Sequence, residues 1–142
     1  MNRMGITCLY LNVRPEEIEP LLKHPQRIDE LMEDVERGLN IDKAWDGLAA
    51  LLKDLPIDVV FGGTPLETGH EFAYGQPRYL SPEQVMIAAE SLPGVLRYDG
   101  PAMTGVYPGV DDEEYYRRHY AGLWDFLSAC AKNGDAVVVT LL

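Results

Sequence analysis

Residues 111–141 narrow the possible folds more than any other part of the chain. They read as a long amphipathic helix followed, almost without a connection, by an apolar strand. Tyr116, Tyr120, Leu123, Leu127 and Cys130 recur at three- and four-residue spacing, so one helical stripe must face a core. The run from Asp111 to Glu114 at its start and Lys132 near its end suit the two ends of the helix dipole. Gly134 is placed to close it as a left-handed cap. Residues 136–141, Ala-Val-Val-Val-Thr-Leu, carry no alternation, which is the pattern of a strand covered on both faces.

The remaining elements are shorter. Residues 5–13 hold an apolar stretch with β-branched and aromatic members and read as a strand. Pro15 then fits a first helical position, and Pro20 limits that helix to a short piece. A second helix begins at His24-Pro25, with Ile28, Leu31, Met32, Val35 and Leu39 on one stripe and Gly38 as its cap. A third spans 41–53, carrying Ile41, Ala44, Trp45, Leu48, Leu51 and Leu52 inward. Residues 57–61 read as a short buried strand ended by Gly62-Gly63, and 64–80 as a long loop with room for short strand pieces. Ser81-Pro-Glu-Gln84 is a capping box, with Leu80 and Val85 placed as a hydrophobic staple. That helix stops at Pro93-Gly94, and residues 95–110 are a Gly- and Pro-rich connection.

The order β-α-α-α-β-α-α-β, without repeat or linker, predicts one α+β domain over residues 1–142. The expected architecture is a small mixed β-sheet packed against about five helices; uneven alternation argues against a doubly wound nucleotide fold. With 12 Lys and Arg against 23 Asp and Glu, the net charge of −11 disfavours nucleic acid. No apolar run reaches the ~20 residues of a membrane span, and nothing at the start resembles a secretory leader. Cys8 and Cys130 are expected as buried thiols rather than a disulfide, consistent with a cytoplasmic protein.

Taken together, several short motifs resemble the YfbM family, a group of small bacterial proteins without an established activity. They include Pro15-Glu-Glu, Ile41-Asp-Lys-Ala-Trp45, Gly47-Leu48, Gly62-Gly63, Tyr74-Gly75 and Arg78-Tyr-Leu80. Pro82-Glu83, Ala102-Met103, Tyr107-Pro108 and Gly134-Asp-Ala-Val137 complete the set. The likeness spans nearly the whole chain and implies an α+β bacterial cytosolic domain. Arg14 departs from it, standing where a helix-capping serine is expected.

A site is expected in a cleft between helix 41–53 and loop 62–80, with candidate ligand-binding residues Asp42, Trp45, Asp46, Gly62, Gly63, Thr64, Tyr74, Arg78 and Tyr107. Arg78 is the most informative of them. A guanidinium in an aromatic loop clamps an anion or ties the loop to backbone carbonyls, Asp42 or Asp46, and tying is the commoner role. Gly62-Gly63 can present N–H groups to an anion, but Pro65 rather than a helix follows, which favours a tight turn. Trp45 reads first as core and second as a rim residue. Asp42 and Asp46, one turn apart, match an acid/base pair or simply a solvated helix face. His24, His70 and His119 are scattered, Glu67-x-x-His70-Glu71 suits a surface loop better than a metal, and no nucleophile motif is present.

No metal, cofactor or catalytic set is therefore indicated. The expected function is a non-enzymatic binding or interaction protein, immunity- or regulator-like, acting on a protein partner of basic character or on a small anionic ligand. The alternative is an enzyme using Arg78 to orient an anionic substrate and Asp42 or Asp46 as acid/base. A monomer or small homo-oligomer fits either.

Overall fold

The computed structural model describes residues 5–34, 36–107 and 112–142. Five strands form one sheet: β1 (Cys8–Val13), β2 (Gly38–Asn40), β3 (Thr64–Pro65), β4 (Arg78–Leu80) and β5 (Ala136–Leu141). The helices are α1 (Pro15–Lys23), α2 (Ile28–Glu33), α3 (Trp45–Leu51), α4 (Pro82–Ser91) and α5 (Glu113–Asn133). The α+β expectation is met, with the strands in the order β2-β1-β5-β4-β3. The sheet is wholly antiparallel rather than mixed. Two of the connections carry a pair of helices, α1 and α2 from β1 to β2 and α4 and α5 from β4 to β5, while α3 alone lies between β2 and β3. A pair returns the chain to the end it left, so the next strand runs the opposite way.

Strand β5 occupies the centre, paired along its whole length with β1 and at Val137–Val139 with β4. Its alternate side chains enter two different cores. Val137 and Val139 join Cys8, Tyr10 and Leu80 beneath Leu123 and Leu127 of α5 and Val85 of α4. Ala136 and Val138 join Leu11, Val13 and Tyr79 against Leu21 of α1 and Ile28 of α2. Both faces are dry, which is why this strand carries no polar alternation.

The helix ends follow their local chemistry. Asp112 accepts the Tyr115 N–H at the start of α5 at 3.2 Å, and Gly134 closes it at φ +72°. Ser81 and Gln84 form the reciprocal capping box of α4, and Leu80 and Val85 are both buried. At α1 the Glu17 carboxylate accepts the Arg14 N–H at 3.0 Å, half of a capping box, with no serine needed for that half.

Helix α1 is the short piece expected, nine residues that run through Pro20 to Lys23. Two expectations are corrected. Helix α2 stops at Glu33, and Gly38, expected as its cap, instead lies in β2, where a Cβ would sit 3.1 Å from Leu9 and 3.2 Å from the Tyr10 carbonyl. The strand expected at 57–61 is a closed turn. Asp58 Oδ1 accepts the N–H groups of Val60 and Phe61, and its carbonyl accepts that of Gly62, so these donors cannot enter a ladder. Val35, placed on the second helical stripe, lies outside the described residues.

Candidate functional site

The segment Ile41–Gly47 is held by reciprocal polar ties. Asn40 Oδ1 accepts the Asp42 N–H at 2.7 Å, and Asp42 takes a left-handed backbone at φ +54° before the chain coils into α3. Asp42 Oδ2 accepts the Tyr115 hydroxyl at 3.0 Å, and the same hydroxyl accepts the Lys43 N–H at 3.1 Å. Burial, reinforced by this carboxylate, pushes the Tyr115 phenol up to about 12. One turn on, Asp46 Oδ2 accepts the Tyr107 N–H at 2.9 Å. Trp45 Nε1 donates to the Ile6 carbonyl at 3.0 Å, while the Tyr107 hydroxyl accepts the Ile6 N–H at 3.2 Å. The Trp45 and Tyr107 rings pack 5.4 Å apart. Asp42 and Asp46 thus each hold a distant segment in place.

Gly62, Gly63 and Thr64 form the entry to β3. Gly63 has φ +91°, and a Cβ there would lie 2.5 Å from the Tyr79 carbonyl, so only glycine fits between the two strands. Thr64 is exposed and faces Tyr79 across the ladder. The donors that an anion would seek in this turn already face the Asp58 carboxylate and carbonyl.

Beyond β3 the long loop is ordered by one side chain. Gln76 Oε1 accepts the Thr68 hydroxyl at 2.8 Å and Gln76 Nε2 donates to the His70 carbonyl at 2.7 Å. The Leu66 N–H reaches the Pro77 carbonyl at 2.8 Å, and Phe72 packs on the second core. This fastening sets Tyr74 and Gly75 at the mouth of a pocket of about 240 Å³. Its walls are Val60 and Phe61 on one side, Pro65, Gln76 and Arg78 on another, and Val139 to Leu141 of β5 as its floor. Arg78 is half-buried, and among the described residues no acceptor pairs with its guanidinium. It makes neither the backbone ties nor the Asp42 or Asp46 pairing expected of a loop clamp.

The structure therefore divides the nine candidates. Tyr74 and Arg78 line the pocket. Trp45, Asp46 and Tyr107 lie behind it as a brace, because the Trp45 ring meets the pocket wall Phe61 edge-on at 5.8 Å. Asp42 points to Tyr115, and the two glycines with Thr64 shape the strand entry. Sequence reasoning missed Phe61, Gln76, Val139 and Leu141. The unbroken apolar run of β5 gives no sign of the last two; the register does, since Val139 stands opposite Arg78 and Leu141 shares its face of the sheet.

Elsewhere the shifted thiols and His119 owe their shifts first to burial. Cys8 and Cys130 are free and buried, and burial pushes each thiol up to about 12. His119 is held below its ordinary value by burial and by nearby Arg118. Among the described residues no group of three or more His, Cys, Asp or Glu side chains is arranged to hold a metal. None of their helices is long and apolar enough to cross a membrane.

The sequence profile of a domain of unknown function, DUF1877, matches residues 4–140. The chain belongs to the DUF1877 family. A solved structure of a protein of unknown function, YfbM from Escherichia coli, superposes on this DUF1877 chain with a TM-score of 0.54. The two are 17% identical, and the match covers 96% of this chain and 99% of YfbM. That likeness shows a shared fold. No curated protein matches the chain. In this DUF1877 member Trp45 and Asp46 meet Tyr107 through the Asp46–Tyr107 and Trp45–Ile6–Tyr107 ties, whereas Tyr74, Gly75 and Arg78 line the pocket and Tyr79 and Leu80 turn into the two cores.

Proposed function

We propose that this protein is a non-enzymatic binding protein that takes an anionic group in the pocket above β5, with Arg78 as its cationic anchor. The observation that carries the reading is Arg78, which is half-buried, lines a pocket and has no acceptor for its guanidinium among the described residues. Its planar fork presents two parallel N–H groups, the geometry a carboxylate or phosphate accepts. Phe61 and Tyr74 supply aromatic walls, and Phe61 is braced from behind by Trp45. The net charge of −11 opposes anion binding at long range. At physiological ionic strength that field is screened over about 8 Å, so the local cation decides. The nearby Asp58 carboxylate is turned onto the Val60 and Phe61 N–H groups.

The carboxylates that an acid/base mechanism would use, Asp42 and Asp46, hold Tyr115 and Tyr107 and do not line this pocket. Binding without turnover is the simpler use of such a site. Titration of ¹⁵N-labelled protein with acetate, succinate and phosphate tests it. Saturable shifts are expected at the Arg78 side chain and at Gly75, absent in Arg78→Gln, with the Arg78→Gln melting temperature within a few degrees of wild type. Anions that leave Arg78 unperturbed sink the proposal.

A further inference from the structure

We infer that the anionic group is the C-terminal carboxylate of an extended peptide, whose last amide pairs with the open edge of β5 at Leu141. This rests on the reading above that Arg78 is the anchor.

Thr7 and Leu142 exchange both backbone hydrogen bonds, each at 2.8 Å. In an antiparallel pair the backbone groups of successive residues point alternately to the two edges of a strand. Leu142 faces β1, so Leu141 directs its N–H and C=O to the β4 side. On that side the β4 ladder begins with Arg78 opposite Val139, and Pro77, which has no N–H, precedes it. Among the described residues no strand residue stands opposite Leu141 there. Leu141 and Arg78 both line the pocket, so the free edge and the guanidinium open into one volume.

The pairing fixes the chemistry of the occupant. Arg78 stands level with Val139, two residues from Leu141, and shares its face of the sheet. An occupant must therefore carry an N–H donor for the Leu141 carbonyl and, displaced along the strand, a planar anion for Arg78. The end of an extended peptide has both at that kind of spacing, because residues advance about 3.3 Å each and the arginine stem covers the remainder. A free phosphate or acetate uses only the guanidinium. The volume of about 240 Å³ bounds the size. It exceeds the ~150 Å³ that holds a benzene and falls below the ~300–1,000 Å³ of drug-sized sites, so it takes a chain end rather than a whole strand. Phe61, Val139 and Leu141 favour an apolar last side chain.

Fluorescence polarisation with a labelled Gly-Ser-Gly-Ser-Ala-Leu peptide tests the inference in three ligand forms: the free acid, the C-terminal amide, and the acid methylated on its last peptide nitrogen. The free acid is expected to bind, with at least a tenfold loss on amidation and a similar loss on N-methylation. Arg78→Lys should weaken the acid several-fold, and Arg78→Gln should bring acid and amide to equal, weak affinity. The Leu141 N–H resonance should shift with the acid peptide but not with acetate. Equal binding of acid and amide by wild type, or indifference to N-methylation, overturns the peptide inference. If acetate still perturbs Arg78 in that case, the broader anion reading stands alone; if it does not, both fall. The ligand-side changes need no protein variant, so a poorly folding Arg78→Gln leaves the test decisive.

Discussion

Asp46 and Tyr107, sixty-one positions apart in sequence, are joined by a hydrogen bond from the Tyr107 N–H to Asp46 Oδ2 at 2.9 Å. Through Tyr107 and Trp45 the first turn of α3 thereby holds the Ile6 peptide from both sides and sets the ring on which Phe61 leans. Removing the acceptor should loosen all of this together. Asp46→Ala is expected to cost about 1–3 kcal/mol, and Asp46→Asn less, because Asn keeps an acceptor oxygen. Urea denaturation checks the ordering, and a neutral Asp46→Ala would show the tie to be incidental.

A sharper stability contrast lies in two helical glycines. A Cβ at Gly47 would fall 2.3 Å from Tyr116 and 2.7 Å from Met103, so Gly47→Ala must displace a buried ring. Overpacking of this kind costs about 1–3 kcal/mol or more. At Gly122 in α5 the nearest neighbour of a Cβ is Leu39 at 3.6 Å, an ordinary contact. Gly122→Ala should stabilise by up to about 1 kcal/mol through helix propensity. Paired thermal melts should therefore move in opposite directions.

Arg37 holds the first helix against the sheet by an ion pair that sequence inspection passed over. Its Nη1 and Nη2 donate to the two Glu17 oxygens at 2.8 and 3.1 Å, and Nη1 also reaches the Asn12 carbonyl at 3.0 Å. The Arg37 side chain is only 7% exposed and that of Glu17 27%. Hydrogen bonding from Arg37 holds the Glu17 carboxyl below its usual 4.5, against an opposing effect of burial. A folded value below the unfolded one means stability present above about 4.5 and lost as pH falls through the folded value. Arg37→Met should cost about 1–3 kcal/mol at pH 7, less than a fully buried pair because Glu17 keeps some solvent. The gap between variant and wild type should narrow when the urea titrations are repeated at pH 5, 4 and 3.

The two thiols should behave as packing groups. With each pushed up to about 12, the thiolate fraction at pH 8 is about one part in ten thousand, and neither sulfur is exposed. A disulfide reagent should leave native protein unlabelled for hours and label both sites within minutes in 6 M guanidinium chloride. Rapid native labelling of Cys8 would show that the strand β1 face opens readily.

The elements legible in the sequence are those whose cause is local. The stripe of α5, its Asp112 and Gly134 ends, the Ser81 capping box and the unbroken apolar run of β5 each follow from residues within one or two turns. What escaped depends on partners far along the chain. Gly38 resembles a helix cap until β1 is set beside it, and 57–61 resembles a strand until the Asp58 carboxylate takes the N–H groups that a ladder needs. Residue type and proximity in sequence cannot separate Arg78, which lines the pocket, from Asp42 and Asp46, whose acceptors are engaged by Tyr115 and Tyr107. The register of β4 on β5 made that separation.

Placing β5 between β1 and β4 has a consequence for how the protein is made. Cys8 pairs with Leu141 and Val13 with Ala136, so the central seam joins segments separated by more than a hundred residues. During synthesis β1 and β4 wait without their shared neighbour, two apolar ribbons with bare rims, until residues 136–141 leave the ribosome. Such long-range closure is slow, and the waiting ribbons are the points at which nascent chains would stick to one another.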